Sequence, residues 1–120
     1  MSEEKKFKII EKPWGKEIIL AHTAKYLFKR IIMKSGMRSS LQSHNFKLET
    51  IFLLSGKILL ESESTPEGVF SKKTYFSGQL YTIYPGCRHR VTVLEDCDLF
   101  EVSTPELDDV IRHEDDYGRG

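Results

Sequence analysis

The chain has 120 residues, of which 39% are hydrophobic and 30% are charged, a composition typical of one globular domain rather than a disordered segment. Its 18 basic and 18 acidic residues cancel, which disfavours nucleic-acid binding because domains of that class usually have a basic surplus. No apolar run approaches the roughly 20 residues of a membrane span, and the N-terminus lacks the apolar stretch of a signal peptide, so we expect a cytoplasmic protein without a membrane partner.

The beginning of the chain is crowded with charged side chains, so residues 1–10 are predicted to form a flexible arm of a single domain that spans residues 1–120. Eight later segments are rich in β-branched, aromatic and leucine residues and predict strands. They are Ile18–Leu20, Tyr26–Lys34, Thr50–Leu54, Lys57–Glu61, Val69–Phe76, Leu80–Ile83, His89–Leu94 and Leu99–Val102. Short strands with turn signals at this spacing favour an all-β sandwich or small barrel.

Two further local signals have definite structural consequences. Ser55-Gly56 separates two of the predicted strands and indicates a tight hairpin. Near the end, Ser103-Thr104-Pro105-Glu106 supplies a capping hydroxyl, a first-turn proline and an early carboxylate. Leu107, Val110 and Ile111 then form an apolar stripe at helical spacing, so a short C-terminal helix is predicted.

The only cysteines, Cys87 and Cys97, match no zinc or redox motif in their spacing. A disulfide is unusual in a cytosolic protein, so we expect two free thiols.

Four residues in the middle of the chain have the donor atoms of a metal site. They are Gln42, His44, Glu49 and, forty residues further on, His89. Gln42 and His44 are two residues apart, so a strand would direct both to one face, whereas Glu49 can rejoin them only if residues 45–48 turn or bulge. Imidazole and oxygen donors together predict one divalent ion, with zinc expected and manganese, iron, nickel and cobalt as alternatives.

The spacing around these residues resembles the two motifs of the cupin superfamily. The first motif is matched by Gly36, Gln42, His44, Glu49 and Gly56, with glutamine where the motif has its first histidine. The second is matched by Gly78, Gly86 and His89, with Tyr84 at the proline position and Val93 at the asparagine position. The resemblance implies a double-stranded β-helix, or jelly-roll barrel, with the metal in its mouth. It also implies a homodimer formed through sheet edges.

Within that superfamily the chain is similar to the C-terminal cupin domain of the type II mannose-6-phosphate isomerases, which also carry a GDP-mannose pyrophosphorylase half. The similarity runs from about residue 11 to the C-terminus. Its marks are Pro13-Trp14-Gly15, Tyr26–Ile31, Gln42, Glu101-Val102, Asp108–Arg112 and Asp116–Arg119. It implies aldose–ketose isomerisation of a sugar phosphate, and no nucleotidyl transfer because the pyrophosphorylase half is missing.

One departure from this family falls in the ligand segment itself. Phe46 and Lys47 stand where the family has histidine and arginine, and lysine keeps the charge of arginine but loses its bidentate fork. The family arginine is a candidate catalytic or phosphate-binding residue, so Lys47 inherits both candidate roles.

The resemblance also suggests how the chemistry would be divided. The metal would act as a Lewis acid, and isomerisation needs a base that moves a proton between adjacent carbons. Lys47 is the first candidate base, with a pKa lowered by burial and the nearby cation, and Tyr75 and His22 are alternatives. The candidates for anion recognition are Arg30, Arg38, Lys47 and Arg90. Arg30 shares strand parity with Phe28 and Ile32 and would lie inside the barrel if that face is the inner one. Lys47 and Arg30 are therefore the predicted catalytic residues.

Two other functions are open on the sequence alone. The chain could be a non-catalytic cupin module that binds a sugar or sugar-nucleotide ligand, or a metal-dependent cupin oxygenase, although glutamine is less typical of the oxygenases.

Overall fold

Residues 7–119, which a computed structural model describes, fold into nine β-strands. The strands are β1 Lys8–Lys12, β2 Gly15–His22, β3 Leu27–Met33, β4 Leu41–Ser43, β5 Glu49–Glu63, β6 Phe70–Phe76, β7 Leu80–Ile83, β8 His89–Ser103 and β9 Ile111–Glu114. This part of the chain has no helix long and apolar enough to cross a membrane. The all-β prediction is confirmed.

Two curved sheets share the long strands β5 and β8, which are antiparallel to each other over nearly their whole length. One sheet has the order β1-β2-β3-β8-β5-β7 and uses the second half of β8 with the first half of β5. The other has the order β9-β4-β8-β5-β6 and uses the remaining halves. The result is the jelly-roll arrangement that the sequence predicted, with the core enclosed between the sheets.

The hairpin predicted at Ser55-Gly56 is wrong, because the chain does not reverse there and β5 continues as one strand past this dipeptide. The β5–β8 register shifts three times around it, between Leu53 and Ile58, which marks a bulge. Gly56 has a φ of +97°, and a Cβ at this position would lie 2.3 Å from the carbonyl oxygen of Asp96. The glycine therefore lets two strands approach closely where they bend from one sheet into the other.

The predicted C-terminal helix is also wrong. Residues 104–110 contain no helix, and the chain then pairs with β4 as strand β9. Thr104, the expected cap, instead exchanges bonds with Leu48: its hydroxyl accepts from the Leu48 N–H, and its own N–H donates to the Leu48 carbonyl. A helix of this length is marginal by itself, so tertiary hydrogen bonds overrode the local pattern.

The N-terminal arm was predicted over residues 1–10, of which residues 1–6 lie outside the described residues. Lys8–Lys12 are not an arm, because they pair with β2 as an antiparallel edge strand. The prediction is wrong from Lys8 onward.

Strand β3 shows which of its faces is the inner one. Leu27, Lys29, Ile31 and Met33 are buried, and the intervening residues face outward. Arg30 therefore lies on the outer face, with its side chain 42% exposed and in a bidentate pair with Asp98 at 2.9 and 2.6 Å. The predicted inward position of Arg30 is wrong, because parity relates the residues of a strand to one another but does not say which set is buried.

The core between the sheets contains a cluster of buried apolar side chains. Trp14 belongs to this cluster, together with Ile51, Leu53 and Val93. Cys87 and Cys97 are buried free thiols, as expected.

On the outside, several apolar side chains remain exposed on the sheet that contains β3. Phe28 and Phe100 stack with ring centroids 5.7 Å apart, and Phe52, Leu80 and Val102 are exposed on the same sheet. Homodimerisation through sheet edges stays a prediction.

Candidate metal centre

The cavity between the two sheets is lined by all four predicted ligands, Gln42, His44, Glu49 and His89. The ligand atoms of the two histidines and the glutamate lie within 4.8 Å of one another, and all three residues are buried. The structure thus brings together residues that are separated by forty-five positions in the chain.

His44 follows strand β4 and is held from the C-terminal segment. Its Nδ1 lies 2.5 Å from the backbone carbonyl oxygen of Asp109. A carbonyl can only accept, so Nδ1 is the protonated nitrogen and Nε2 keeps its lone pair. Nε2 is buried and has no hydrogen-bond partner.

His89 begins strand β8 and is anchored in the same manner. Its Nδ1 donates to the backbone carbonyl of Cys87 at 3.1 Å, and its Nε2 points at Glu49. Both imidazoles therefore present an unprotonated nitrogen to the cavity, which is how second-sphere hydrogen bonds commonly orient metal-binding histidines.

Glu49 reaches the histidines because residues 45–48 turn, as parity predicted. The Asp109 carboxylate holds this turn by accepting from the backbone N–H groups of Asn45, Phe46 and Lys47 at 2.9, 2.7 and 3.0 Å. One residue, Asp109, thus orients His44 through its carbonyl and shapes the turn before Glu49 through its side chain.

The distances fit a metal ion. Glu49 Oε1 lies 3.4 Å from Nε2 of His44 and 3.4 Å from Nε2 of His89. Two ligand atoms at ~2.1 Å from a tetrahedral ion are roughly 3.4 Å apart. Lone pairs on two nitrogens and a carboxylate repel one another unless a cation lies between them or an imidazole gains a second proton. The orphaned Nε2 of His44 favours the cation.

Gln42 differs from the other three residues because its side-chain oxygen already accepts a hydrogen bond. The Ser40 hydroxyl donates to Gln42 Oε1 at 2.9 Å, which leaves that oxygen one further lone pair. Gln42 is the cross-strand neighbour of His89, so the two side chains share a face.

Glu101 is a site residue that was missed as a candidate from the sequence. It is buried on β8, and its carboxylate lies 3.4 Å from Nζ of Lys47 and 3.7 Å from Nζ of Lys29. Burial, and then the negative charge of Glu49, raise the pKa of Glu101 to about 7 despite the two lysines. Two signals were available: Glu101 belongs to the family similarity, and it is an acidic residue two positions from Leu99 and Ser103 on the inward face of an apolar strand.

Glu49 shows the opposite electrostatic behaviour. Burial by itself would raise its pKa, but the adjacent imidazoles of His44 and His89 and the charge of Lys47 lower the pKa well below the usual value. The pKa values of the neighbouring Glu49 and Glu101 therefore shift in opposite directions, and Glu49 is the stronger acid of the two.

Lys47 lies in the cavity, as expected, but not in the predicted electrostatic state. Its Nζ is 3.1 Å from Glu49 Oε2 and 3.4 Å from Glu101 Oε2. Burial lowers the pKa of Lys47, but the negative charges of Glu101 and Glu49 outweigh burial and raise it above the ordinary value. The expected lowering of its pKa is wrong for the protein by itself, so Lys47 is a cation held by two carboxylates.

The other predicted polar residues lie elsewhere. Arg30 is on the outer face, Arg38 pairs with Asp116 near the surface, and Arg90 is buried outside the cavity. Arg90, a candidate for anion recognition, is instead covered by the C-terminal residues, and its guanidinium donates to the Ser39 carbonyl and to Glu114.

The alternative bases are also displaced. His22 is exposed and hydrogen-bonded to the Pro105 carbonyl, and Tyr75 packs its ring 5.0 Å from that of Tyr81. Of these two tyrosines, Tyr81 is the one that lines the cavity.

Three further cations line the same cavity and were not among the candidate residues. Lys12 ends strand β1, Arg112 lies in β9, and Arg119 follows in the C-terminal segment. Arg112 and Arg119 are part of the sequence similarity already described, but nothing local indicated that their side chains reach the cavity.

Comparison with known proteins agrees with this geometry. The family model described as mannose-6-phosphate isomerase C-terminal matches residues 1–115. No match was found among curated proteins.

Solved structures show the same fold at low sequence identity. KdgF from Halomonas sp. aligns with a TM-score of 0.73 and 17% identity over 87% of this chain and 91% of KdgF. The oxalate decarboxylase of Bacillus subtilis, a protein with Mn(II) centres, aligns with a TM-score of 0.78 and 13% identity over 88% of this chain. CapF, solved with the inhibitor 3-isopropenyl-tropolone, gives 0.73 and 17% over 92% of this chain. The chain spans only 30% of the decarboxylase and 35% of CapF.

Proposed function

The chain belongs to the mannose-6-phosphate isomerase C-terminal family of cupin domains, and from that premise we propose that it is a metal-dependent isomerase of a sugar phosphate. The reaction to test first is the interconversion of mannose 6-phosphate and fructose 6-phosphate. The observation that carries the proposal is the pair of imidazoles whose unprotonated Nε2 atoms both face Glu49 at 3.4 Å, in a cavity that also holds buried ionisable groups.

In this proposal His44, Glu49 and His89 hold one divalent ion, and Gln42 is the fourth ligand. A bound ion would supply Lewis acidity toward a carbonyl or hydroxyl oxygen of the open-chain sugar. Zinc is the expected metal, and manganese, iron, nickel and cobalt suit the same mixed nitrogen and oxygen donors.

The protein's own groups would manage the protons. Converting an aldose to a ketose takes the proton from C2, adds one to C1 and moves a hydroxyl proton from O2 to O1, so it needs a proton carrier and no co-reactant. Glu101 is assigned as that carrier because it is a buried cavity carboxyl placed beside Lys47 rather than among the ligands. Lys47 is assigned as a cationic donor to the substrate oxygens, in place of the family arginine.

Lys29 is a second buried lysine that contacts Glu101. Lys29 lies 2.8 Å from the partly buried Glu17 and 3.7 Å from Glu101, and Lys29 and Glu101 are both buried. These contacts fix Glu101 between two cations, so its carboxyl has a defined position in the cavity.

The test is fructose 6-phosphate formation from mannose 6-phosphate by the full chain, with zinc, manganese, iron, nickel or cobalt supplied in turn. Lys47→Gln and Glu101→Gln should each lower kcat by about 100-fold or more while metal content is retained. Lys57→Gln and Glu95→Gln, outside the cavity, are the matched controls. Absence of turnover by the parent protein with every metal would overturn the isomerase proposal.

One observation favours a second function, a sugar-phosphate binding module without turnover. Lys47 is clamped by Glu49 and Glu101, and it stands where the family has arginine. A protein that binds mannose 6-phosphate without converting it under any metal would support this alternative.

A further inference from the structure

Two edge strands bring positive charge to the cavity without contributing a metal ligand. Lys12 comes from β1, at one edge of the first sheet, and Arg112 comes from β9, at one edge of the second. Both side chains line the cavity that contains His44 and Glu49. Arg112 is the cross-strand partner of Gln42, so its side chain stands on the same face about 5 Å along the sheet.

Neither cation is in direct contact with a carboxylate of the described residues. Among residues 7–119, no carboxylate forms a salt bridge with either Lys12 or Arg112 within 4.0 Å. The Nε atom of Arg112 is buried and has no hydrogen-bond partner. Arg119, which lines the same cavity, differs because Asp115 binds it in a bidentate pair at 2.9 and 3.0 Å.

The pKa of Lys12 is lowered, in part by neighbouring positive charges. Burial lowers its pKa most, Glu17 opposes this, and the positive charges of Arg112, Arg119 and Lys29 lower the pKa further. Like charges gathered at a partly buried position are unfavourable, and a bound anion would remove that repulsion while satisfying the free guanidinium N–H.

We infer that Lys12 and Arg112 form the phosphate-binding subsite of this cavity, the inference resting on the proposed function only for the identity of the rest of the ligand. Two cations without an ion-pair partner among residues 7–119 match the charge of a phosphate monoester, about −1.5 to −2, better than that of a carboxylate. Arg112 supplies the planar donor fork and Lys12 the point charge. Because Arg112 is one strand away from Gln42, the ligand is a short sugar phosphate whose reacting carbons lie near the metal ligands.

The experiment is calorimetric titration of inorganic phosphate and of mannose 6-phosphate into the full chain, with and without a chelator that removes metal. Phosphate should bind the chelated protein, and binding should weaken with added salt. Arg112→Gln and Lys12→Gln should each weaken phosphate binding by about tenfold or more. Arg30→Gln and Lys25→Gln, cations of the same types outside the cavity, should leave binding unchanged.

The result separates this inference from the proposed function. Phosphate binding that depends on Lys12 and Arg112 would stand even if no metal gave turnover. Unchanged phosphate affinity in both cavity variants, or equal weakening in Arg30→Gln, would overturn the subsite while leaving isomerisation intact. Metal content and thermal midpoints measured on each variant separate a lost contact from a lost fold, and the two variants lie on different strands.

Discussion

His44 and Asp109 are joined by a hydrogen bond across 65 positions of sequence, from the imidazole Nδ1 to the Asp109 carbonyl oxygen at 2.5 Å. This bond selects the tautomer of a histidine that is proposed as a metal ligand. The Asp109 carboxylate meanwhile accepts three backbone N–H bonds from residues 45–47. The C-terminal segment therefore shapes the candidate metal centre without supplying a proposed ligand to it.

Removing the Asp109 side chain should loosen the centre without changing its donor atoms. Asp109→Ala leaves three backbone N–H groups without their acceptor, and we expect a loss of about 1–3 kcal/mol in unfolding free energy. Metal affinity should fall by about 10–100-fold, as for other second-sphere changes. Denaturant unfolding and metal titration measure the two effects. Asp108→Ala, at the exposed neighbouring position, is the control, and equal losses in both variants would contradict the role given to Asp109.

The four histidines divide into two pairs that test the site directly. His44→Ala and His89→Ala should lower metal affinity by about 100-fold or more, because each removes a ligand. His22 and His113 bond to Pro105 and Ser43 outside the cluster, so their alanine variants should keep the metal. Elemental analysis measures the metal content of each variant. Thermal unfolding measures the stability that the metal adds, about 2.7 kcal/mol at 100 times its Kd. Full metal content in His89→Ala would refute the site.

Alanine substitutions at two glycines of similar φ distinguish the cost of a steric clash from the cost of backbone strain. Gly56 and Gly78 have φ of +97° and +85°, but a Cβ meets the Asp96 carbonyl at 2.3 Å only at Gly56. Gly78→Ala should cost about 1 kcal/mol for its left-handed conformation. Gly56→Ala should cost several kcal/mol, because β5 and β8 must separate. Equal midpoints in urea for the two variants would show that the bulge tolerates a side chain.

Acid should weaken the pair formed by Glu63 and Arg88. The Arg88 guanidinium, at 3.1 and 3.2 Å, is the main cause that lowers the pKa of Glu63 below its ordinary 4.5. A carboxyl with a lowered folded-state pKa contributes stability that is complete above about pH 4.5 and is lost as the pH falls through the folded-state value.

Thermal midpoints between pH 7 and pH 2.5 measure this contribution. Glu63→Gln should be less stable than the parent at pH 7 and should lose less on acidification. Glu95→Gln, an exposed position in β8, should follow the parent curve. A parallel fall in the parent and Glu63→Gln would mean that the pair has no part in the pH dependence.

Much of the candidate site could be predicted from local rules. Donor chemistry and spacing selected His44, Glu49 and His89, and the two-residue period of a strand predicted that residues 45–48 must turn. The turn and the approach of the three residues are both present. These predictions held because they depend on covalent geometry and on the donor atoms of single side chains.

The sequence by itself therefore determined the all-β character, the grouping of His44, Glu49 and His89, and the turn before Glu49. Only the tertiary structure decided which face of β3 is inner, and hence that Lys29 rather than Arg30 enters the core. It also decided that Ser55-Gly56 is a bulge, that the last segment forms a strand rather than a helix, and that Glu101 and Arg112 reach the cavity. The physical reason is the same in each case: local period fixes how neighbours are arranged relative to one another, whereas contacts between distant strands choose which arrangement is buried.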